Sequence, residues 1–199
     1  YPAEWMAAFL DKEPEHKKEK AIGIAKSLGF KTEPLNINTS GKVWEISDDG
    51  KTLIQPLTSI KGLGDSAMDQ ILMNRPFKTI EEFLFHKEVT YSKLNKKALD
   101  VLCRSGAMKS LQDDRFTGAK HFWSCVAVDR PRKEANLLDN IETYADEGDF
   151  STEERIQYLT DLTGMFPINL VMKGDTLSQL VDNGIPAISE YDKKLKMVW

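Results

Sequence analysis

The tightest constraint in this sequence is a four-residue step, Lys61-Gly62-Leu63-Gly64, set between two apolar segments. Leu57 and Ile60 precede it, Leu63 stands inside it, and Ala67, Met68, Ile71 and Leu72 follow at helical spacing. A chain that reverses this sharply needs positive φ, which glycine adopts without strain. The pattern predicts an apolar turn, a hairpin at 61–64 with both glycines in such conformations, and a helix from about 65 onward. Asp65 or Ser66 is its expected N-cap, and Leu63 is expected to pin the hairpin to a core.

Glycine also lets an anion approach the main chain. Exposed N–H groups at a hairpin and at the next helix N-terminus can hold a phosphate oxygen. Lys61 would add mobile positive charge. This is the helix–hairpin–helix pattern; its plain alternative is a turn that touches only protein.

The charge distribution agrees with an anionic partner at this place. The net charge of −4 argues against nucleic acid, but it is unevenly spread. Residues 1–57 hold 8 basic and 9 acidic residues, residues 58–111 hold 9 and 6, and residues 112–199 hold 10 and 16. The only net-positive part contains the glycine hairpin.

Before the hairpin, helices are expected over 1–10, with Trp5, Met6, Phe9 and Leu10 buried, and from Pro14 to about Leu28, where Gly29 supplies a left-handed cap. Residues 31–40 read as extended and irregular. Val43 to Ile46 and Thr52 to Ile54 read as a β-hairpin closed at Ser47-Asp48-Asp49-Gly50, in which the aspartates serve turn chemistry rather than a metal. After it, Thr79 and Glu82 form an expected capping box. A helix is expected over Lys96–Arg104 with Ala98, Leu99, Val101 and Leu102 inward, followed by a second hairpin at Gly106. Lys93, Lys96, Lys97, Arg104 and Lys109 cluster there as candidate phosphate contacts. Arg115 to Val128 reads as one helix, the acidic stretch 139–149 as a mobile surface segment, and Ser151 with Glu154 as a second capping box. A helix from Asp175 or Thr176 and strand-like pieces at 185–188 and 196–199 complete the reading.

No catalytic constellation emerges. His16, His86 and His121 lack zinc-ligand spacing, there is no P-loop or nucleophile elbow, and no D-x-D stands at a strand end. Cys103 and Cys125 read as buried thiols. No apolar run approaches the roughly 20 residues of a membrane span. The start at Tyr1-Pro2 and the strand-like end at Trp199 are those expected of a piece of a longer protein.

Four ordered motifs carry a family resemblance over about residues 1–111. Tyr1-Pro2-Ala3-Glu4-Trp5-Met6-Ala7-Ala8 resembles YPAEFMAA, and Leu35-Asn36-Ile37-Asn38-Thr39-Ser40 resembles PPDIN-x-S. Ile60-Lys61-Gly62-Leu63-Gly64 resembles AIKGVG. Leu94-Asn95-Lys96-Lys97-Ala98-Leu99, with Ser105-Gly106-Ala107, resembles VNKR-x-LE…AGAFD. These are motifs of the bacterial replicative DNA polymerase III alpha subunit, the C-family polymerase. Residues 162–169, LTGMFPIN, lack that family's Gly-His-Pro, which would suit a phage-encoded or distant member.

The resemblance implies a mainly α fold with a small β-hairpin. A tandem helix–hairpin–helix (SAM-like) domain would be flanked by helices and by the start of an OB-like domain. Residues 1–40 would be distal fingers, 41–111 the β-hairpin and DNA-binding domain, 112–172 a helical continuation where the family makes its clamp contact, and 173–199 a linker and truncated OB-like strands. It further implies a cytoplasmic, non-catalytic piece of a DNA-directed DNA polymerase. The parent's aspartates and magnesium would lie in a palm upstream, with no cofactor in this piece. Its partner would be primer–template duplex, gripped through Lys61, Gly62, Leu63, Gly64, Ser66, Lys93, Lys96, Lys97, Arg104 and Gly106. A sliding clamp is a further implied partner, with Gln112 to Phe116 the nearest approach to a clamp-binding peptide. The alternative reading is a protein-interaction scaffold with structural hairpins.

Overall fold

The computed structural model describes residues 2–90, 92–167 and 170. The helix expected from Asp175 and the strand-like pieces at 185–188 and 196–199 lie outside them. Within them the chain is mainly helical, with a three-stranded sheet.

Helices α1 (Pro2–Lys12) and α2 (Glu15–Ser27) pack with the sheet around Met6, Leu10, Ala21, Ile22, Ala25, Trp44 and Leu53. Trp5 was expected in this core but is 63% exposed; it stacks on Phe9 at the helix surface. Its position two residues from Ala3 and one from Met6, both buried, puts it off the inward stripe. Pro14 is the N-cap of α2 rather than part of its first turn, and Gly29 follows the helix at φ +88°.

The sheet comprises β1 (Lys31–Glu33), β2 (Glu45–Ile46) and β3 (Thr52–Ile54), with β3 central, parallel to β1 and antiparallel to β2. The expected β-hairpin is present but shorter. Trp44 turns into the helical core and donates its main-chain N–H to Asp11 Oδ1 at 2.9 Å, which takes Val43 and Trp44 out of the ladder. β1 stands where an irregular segment was expected; its alternation is polar on both faces, so no apolar period marks it. Asp49 closes the β2–β3 turn: its carboxylate accepts from the Thr52 hydroxyl at 2.6 Å and from the Lys51 and Thr52 amides at 2.8 Å each.

The larger core is organised by α3 (Asp65–Asn74), α4 (Ile80–Phe85), α5 (Lys96–Arg104) and α6 (Ala119–Trp123). α5 has the expected bounds because Asn95 caps it, its side chain accepting from Ala98 N at 3.0 Å. Leu99 and Leu102 are wholly buried, each contributing about 1.5–3 kcal/mol through burial. Thr79 caps α4, accepting from Glu82 N, but Glu82 reaches Lys78 N instead of the cap residue, so the box is half formed.

The single helix expected over 115–128 is broken. A loop precedes α6, which continues into a wide π-helical turn at Ser124–Val128. The acidic stretch is not a loose segment. Its first part is the end of α7 (Glu134–Thr143), and Asn140 on that helix donates to the carbonyls of Cys125 and Asp129 at 3.0 and 2.5 Å. One buried amide thus satisfies two carbonyls at the wide turn. His121 is fully buried beneath α7, with Nδ1 accepting from Thr117 N and Nε2 3.0 Å from Ile141 O. Ser151 and Glu154 form the expected capping box of α8 (Thr152–Thr163), which ends at Gly164.

Residues 35–40 form a strap between the two halves of this core. Ile37 N donates to Ala107 O at 2.8 Å, while the Asn38 side chain donates to Phe77 O and accepts from Phe77 N, both at 2.8 Å.

Candidate nucleic-acid interface

The first hairpin is built as the apolar pattern requires. Leu57, Ile60 and Leu63 are buried below it, and Ala67, Met68 and Ile71 carry α3 onto the same core. Gly62 adopts φ +87°, a left-handed conformation that a side chain would strain. Gly64 does not share it: at φ −78°, ψ 153° it is extended and is itself the N-cap of α3. Neither Asp65 nor Ser66 caps the helix; both lie inside its first turn.

The main chain around these residues is the chemically open part. Lys61 N donates to Leu162 O at 2.8 Å and Leu63 N to Ile60 O at 3.2 Å. The amides of Gly62, Gly64, Asp65 and Ser66 donate to no acceptor among the described residues. Gly64, Asp65 and Ser66 stand where α3 begins, and such orphan donors, with the positive end of the helix dipole, suit an anion. Asp65 contributes a carboxylate to the same turn, so the local field is mixed.

The basic residues divide into distinct roles. Lys97 reaches over the first hairpin, its Cε 3.6 Å from where a β-carbon on Gly62 would stand, with Val101 Cγ1 at 3.7 Å. Lys93 and Lys97 are exposed and form no ion pair among the described residues. The other expected contacts are engaged within the protein. Lys61 Nζ pairs with Glu15 Oε1 at 2.6 Å. Lys96 Nζ donates to Val128 O at 2.8 Å. Arg104 makes a two-pronged contact with Asp100 and lies 4.8 Å over the Tyr158 ring, while Trp123 Nε1 donates to the same Asp100 at 2.8 Å. Arg104 therefore joins α5, α6 and α8 rather than facing solvent.

The second hairpin spans Ser105 to Met108, with Gly106 at φ +79°. Its amides are largely engaged: Ser105 N bonds to Val101 O and Gly106 N to Cys103 O, each at 3.0 Å. A single 3-10 turn, Lys109–Leu111, follows in place of a full returning helix. Its outward resource is positive charge, and its main role is to receive the strap at Ala107 and, through Ser110 Oγ, Asn36.

The expected clamp-peptide spacing is not presented outward. Phe116 is buried edge-on against Phe122 and His121, and Arg115 is held by Asp113 and Glu81. These two acids hold its guanidinium charged, and both carboxyls lie below their usual range, chiefly through hydrogen bonds from Arg115. Among the described residues no group of three or more His, Cys, Asp or Glu side chains is placed to hold a metal ion, and no helix is long and apolar enough to cross a membrane. Burial raises both thiols, Cys125 to about 12.

A glycine hairpin with open amides, closed on a second hairpin by a shared apolar core, defines a helix–hairpin–helix module. Residues 29–118 match the family described as helix-hairpin-helix motif. Over 56–81% of its length, depending on the relative, the chain is similar to one segment of DNA polymerase III subunit alpha, as the sequence motifs indicated. It is 33% identical over 122 residues to DNA polymerase III subunit alpha of Xylella fastidiosa (strain Temecula1), covering 58% of this chain and 10% of that protein. With the Pseudomonas fluorescens protein of the same name it shares 32% over 117 residues, 56% of this chain and 10% of the relative. With that of Saccharopolyspora erythraea it shares 23% over 166 residues, 81% of this chain and 14% of the relative. The chain thus spans about a tenth of the length of these relatives.

Proposed function

We propose that this chain is a non-catalytic, DNA-holding part of a replicative polymerase of the DNA polymerase III alpha type, acting in the cytoplasm. It binds duplex DNA through backbone phosphates, without reading base sequence. The observation that carries this reading is the set of unengaged amides at Gly62, Gly64, Asp65 and Ser66, with Lys97, which forms no ion pair among the described residues, reaching over Gly62. A phosphate oxygen there would accept from the main chain while the lysine offsets its charge. Similarity to polymerase subunits supports DNA as the anion. Nucleotide addition, with its magnesium, would belong to other parts of such a polymerase.

The number of cations in reach is small, so binding should be weak and steeply salt-dependent. Fluorescence anisotropy of labelled primer–template, titrated with the chain over a salt series, tests this. Similar affinity for unrelated duplexes, declining log-linearly with salt, is expected. Absence of binding at the lowest salt, or strong preference for one sequence, would overturn the proposal.

A further inference from the structure

Lys61 is the cation closest in sequence to the open amides, yet its charge is already met. Its main chain is fixed by the bond to Leu162 O, and its Nζ lies 2.6 Å from Glu15, the first residue of α2. Gly164, just past α8, borders the pair: a β-carbon there would stand in ordinary van der Waals contact, 3.4 Å from Glu15 Oε1 and 3.8 Å from Lys61 Nζ. Three separate elements meet at this point. Both side chains remain solvated, 50% and 63% exposed, which makes the pair weak and exchangeable.

We infer that Glu15 is an intramolecular competitor for the phosphate-binding cation: it holds Lys61 until a DNA phosphate takes its place. The inference rests on the DNA reading above. The main-chain anchor keeps Lys61 beside the hairpin during the exchange, so only its side chain moves. The displaced Glu15 stays at the N-terminus of α2, where the helix dipole favours a carboxylate, so the exchange is reversible. DNA binding thereby unfastens α2 from the hairpin.

Duplex binding should be compared across a salt series for the wild-type chain, Glu15→Gln, Lys61→Ala, the double variant, and Glu19→Gln, which removes an equal exposed charge one turn further along α2. Glu15→Gln should bind about two- to five-fold tighter at low salt, with the gain fading as salt rises. Lys61→Ala should lower the salt slope by about 0.9, and adding Glu15→Gln to it should change nothing more. Three results would overturn the competitor role while leaving DNA binding intact: no gain from Glu15→Gln, an equal gain from Glu19→Gln, or a gain that persists without Lys61. Absence of binding by both the wild type and Glu15→Gln would instead remove the DNA reading, and the competitor with it.

Discussion

Lys97 lies across Gly62, joining the second helix pair to the glycine hairpin of the first; its Cε would be in van der Waals contact with any β-carbon placed there. The contact brings a lysine of α5 that forms no ion pair among the described residues over Gly62, whose amide is open. It also makes the two glycines of the hairpin unequal.

Gly62→Val should be damaging in two ways. The left-handed backbone would be strained by about 1–3 kcal/mol, and the added branches would meet Lys97 and Val101. Gly64→Ala faces open space at an extended backbone angle, so it should cost at most about 1 kcal/mol, the N-cap preference for glycine over alanine. Urea denaturation separates the two. If Gly64→Ala binds DNA more weakly while keeping its stability, the methyl obstructs an approaching phosphate.

The cations should divide by their partners. Lys97→Ala and Lys93→Ala should leave the denaturation midpoint unchanged, weaken duplex binding, and each reduce the salt slope by about 0.9. Arg104→Ala should do the reverse, losing about 1–2 kcal/mol of stability with the Asp100 pair and the Tyr158 stack and leaving the salt slope alone. Equal slopes for all three variants would contradict the division.

Asn38→Ala removes the paired hydrogen bonds to Phe77 and leaves that residue's N–H and C=O unmatched in a partly buried place. A loss of about 2–3 kcal/mol is expected, read by urea midpoint. Asn38→Asp should fall between, since a carboxylate can still accept from Phe77 N but cannot donate.

The turn at Asp49 predicts an acid limb. Hydrogen bonds from the Thr52 hydroxyl, the Lys51 amide, the Ser47 hydroxyl and the Thr52 amide hold its carboxyl well below the usual range. A carboxyl lower in the folded than in the unfolded chain stabilises fully above the unfolded value, about 3.9, and loses that contribution as pH falls further. Asp49→Asn should therefore be less stable than wild type at neutral pH, and the two should converge below about pH 4. Parallel curves between pH 6 and 2 would show that Asp49 is not responsible.

Local signals in the sequence carried local structure. The apolar period of Ala98, Leu99, Val101 and Leu102 marked α5, and Ser151 with Glu154 marked the start of α8, because these signals lie within a few residues of the helices they set. The hairpin's apolar positions were equally readable. Partners distant along the chain were not. Nothing at Lys61 signals Glu15, and nothing at Arg104 signals Tyr158, so both read as loose charge. β1 was missed because its side chains are polar on both faces and carry no apolar period. The folded character of the stretch 139–149 was missed because its acidic side chains outweighed Asn140 and Ile141, which turn inward at the end of α7.

The strap of residues 35–40 bears on how this protein can be divided. It is contiguous with the N-terminal helices along the chain, yet its hydrogen bonds go to Phe77, Ala107 and Ser110. A polypeptide begun after Ser40 would retain every residue of both hairpins and still lack the piece that bridges them. The smallest self-supporting unit should therefore start upstream of Leu35, and a chain begun after Ser40 should keep most of the shared apolar core yet be less stable than one that retains the strap.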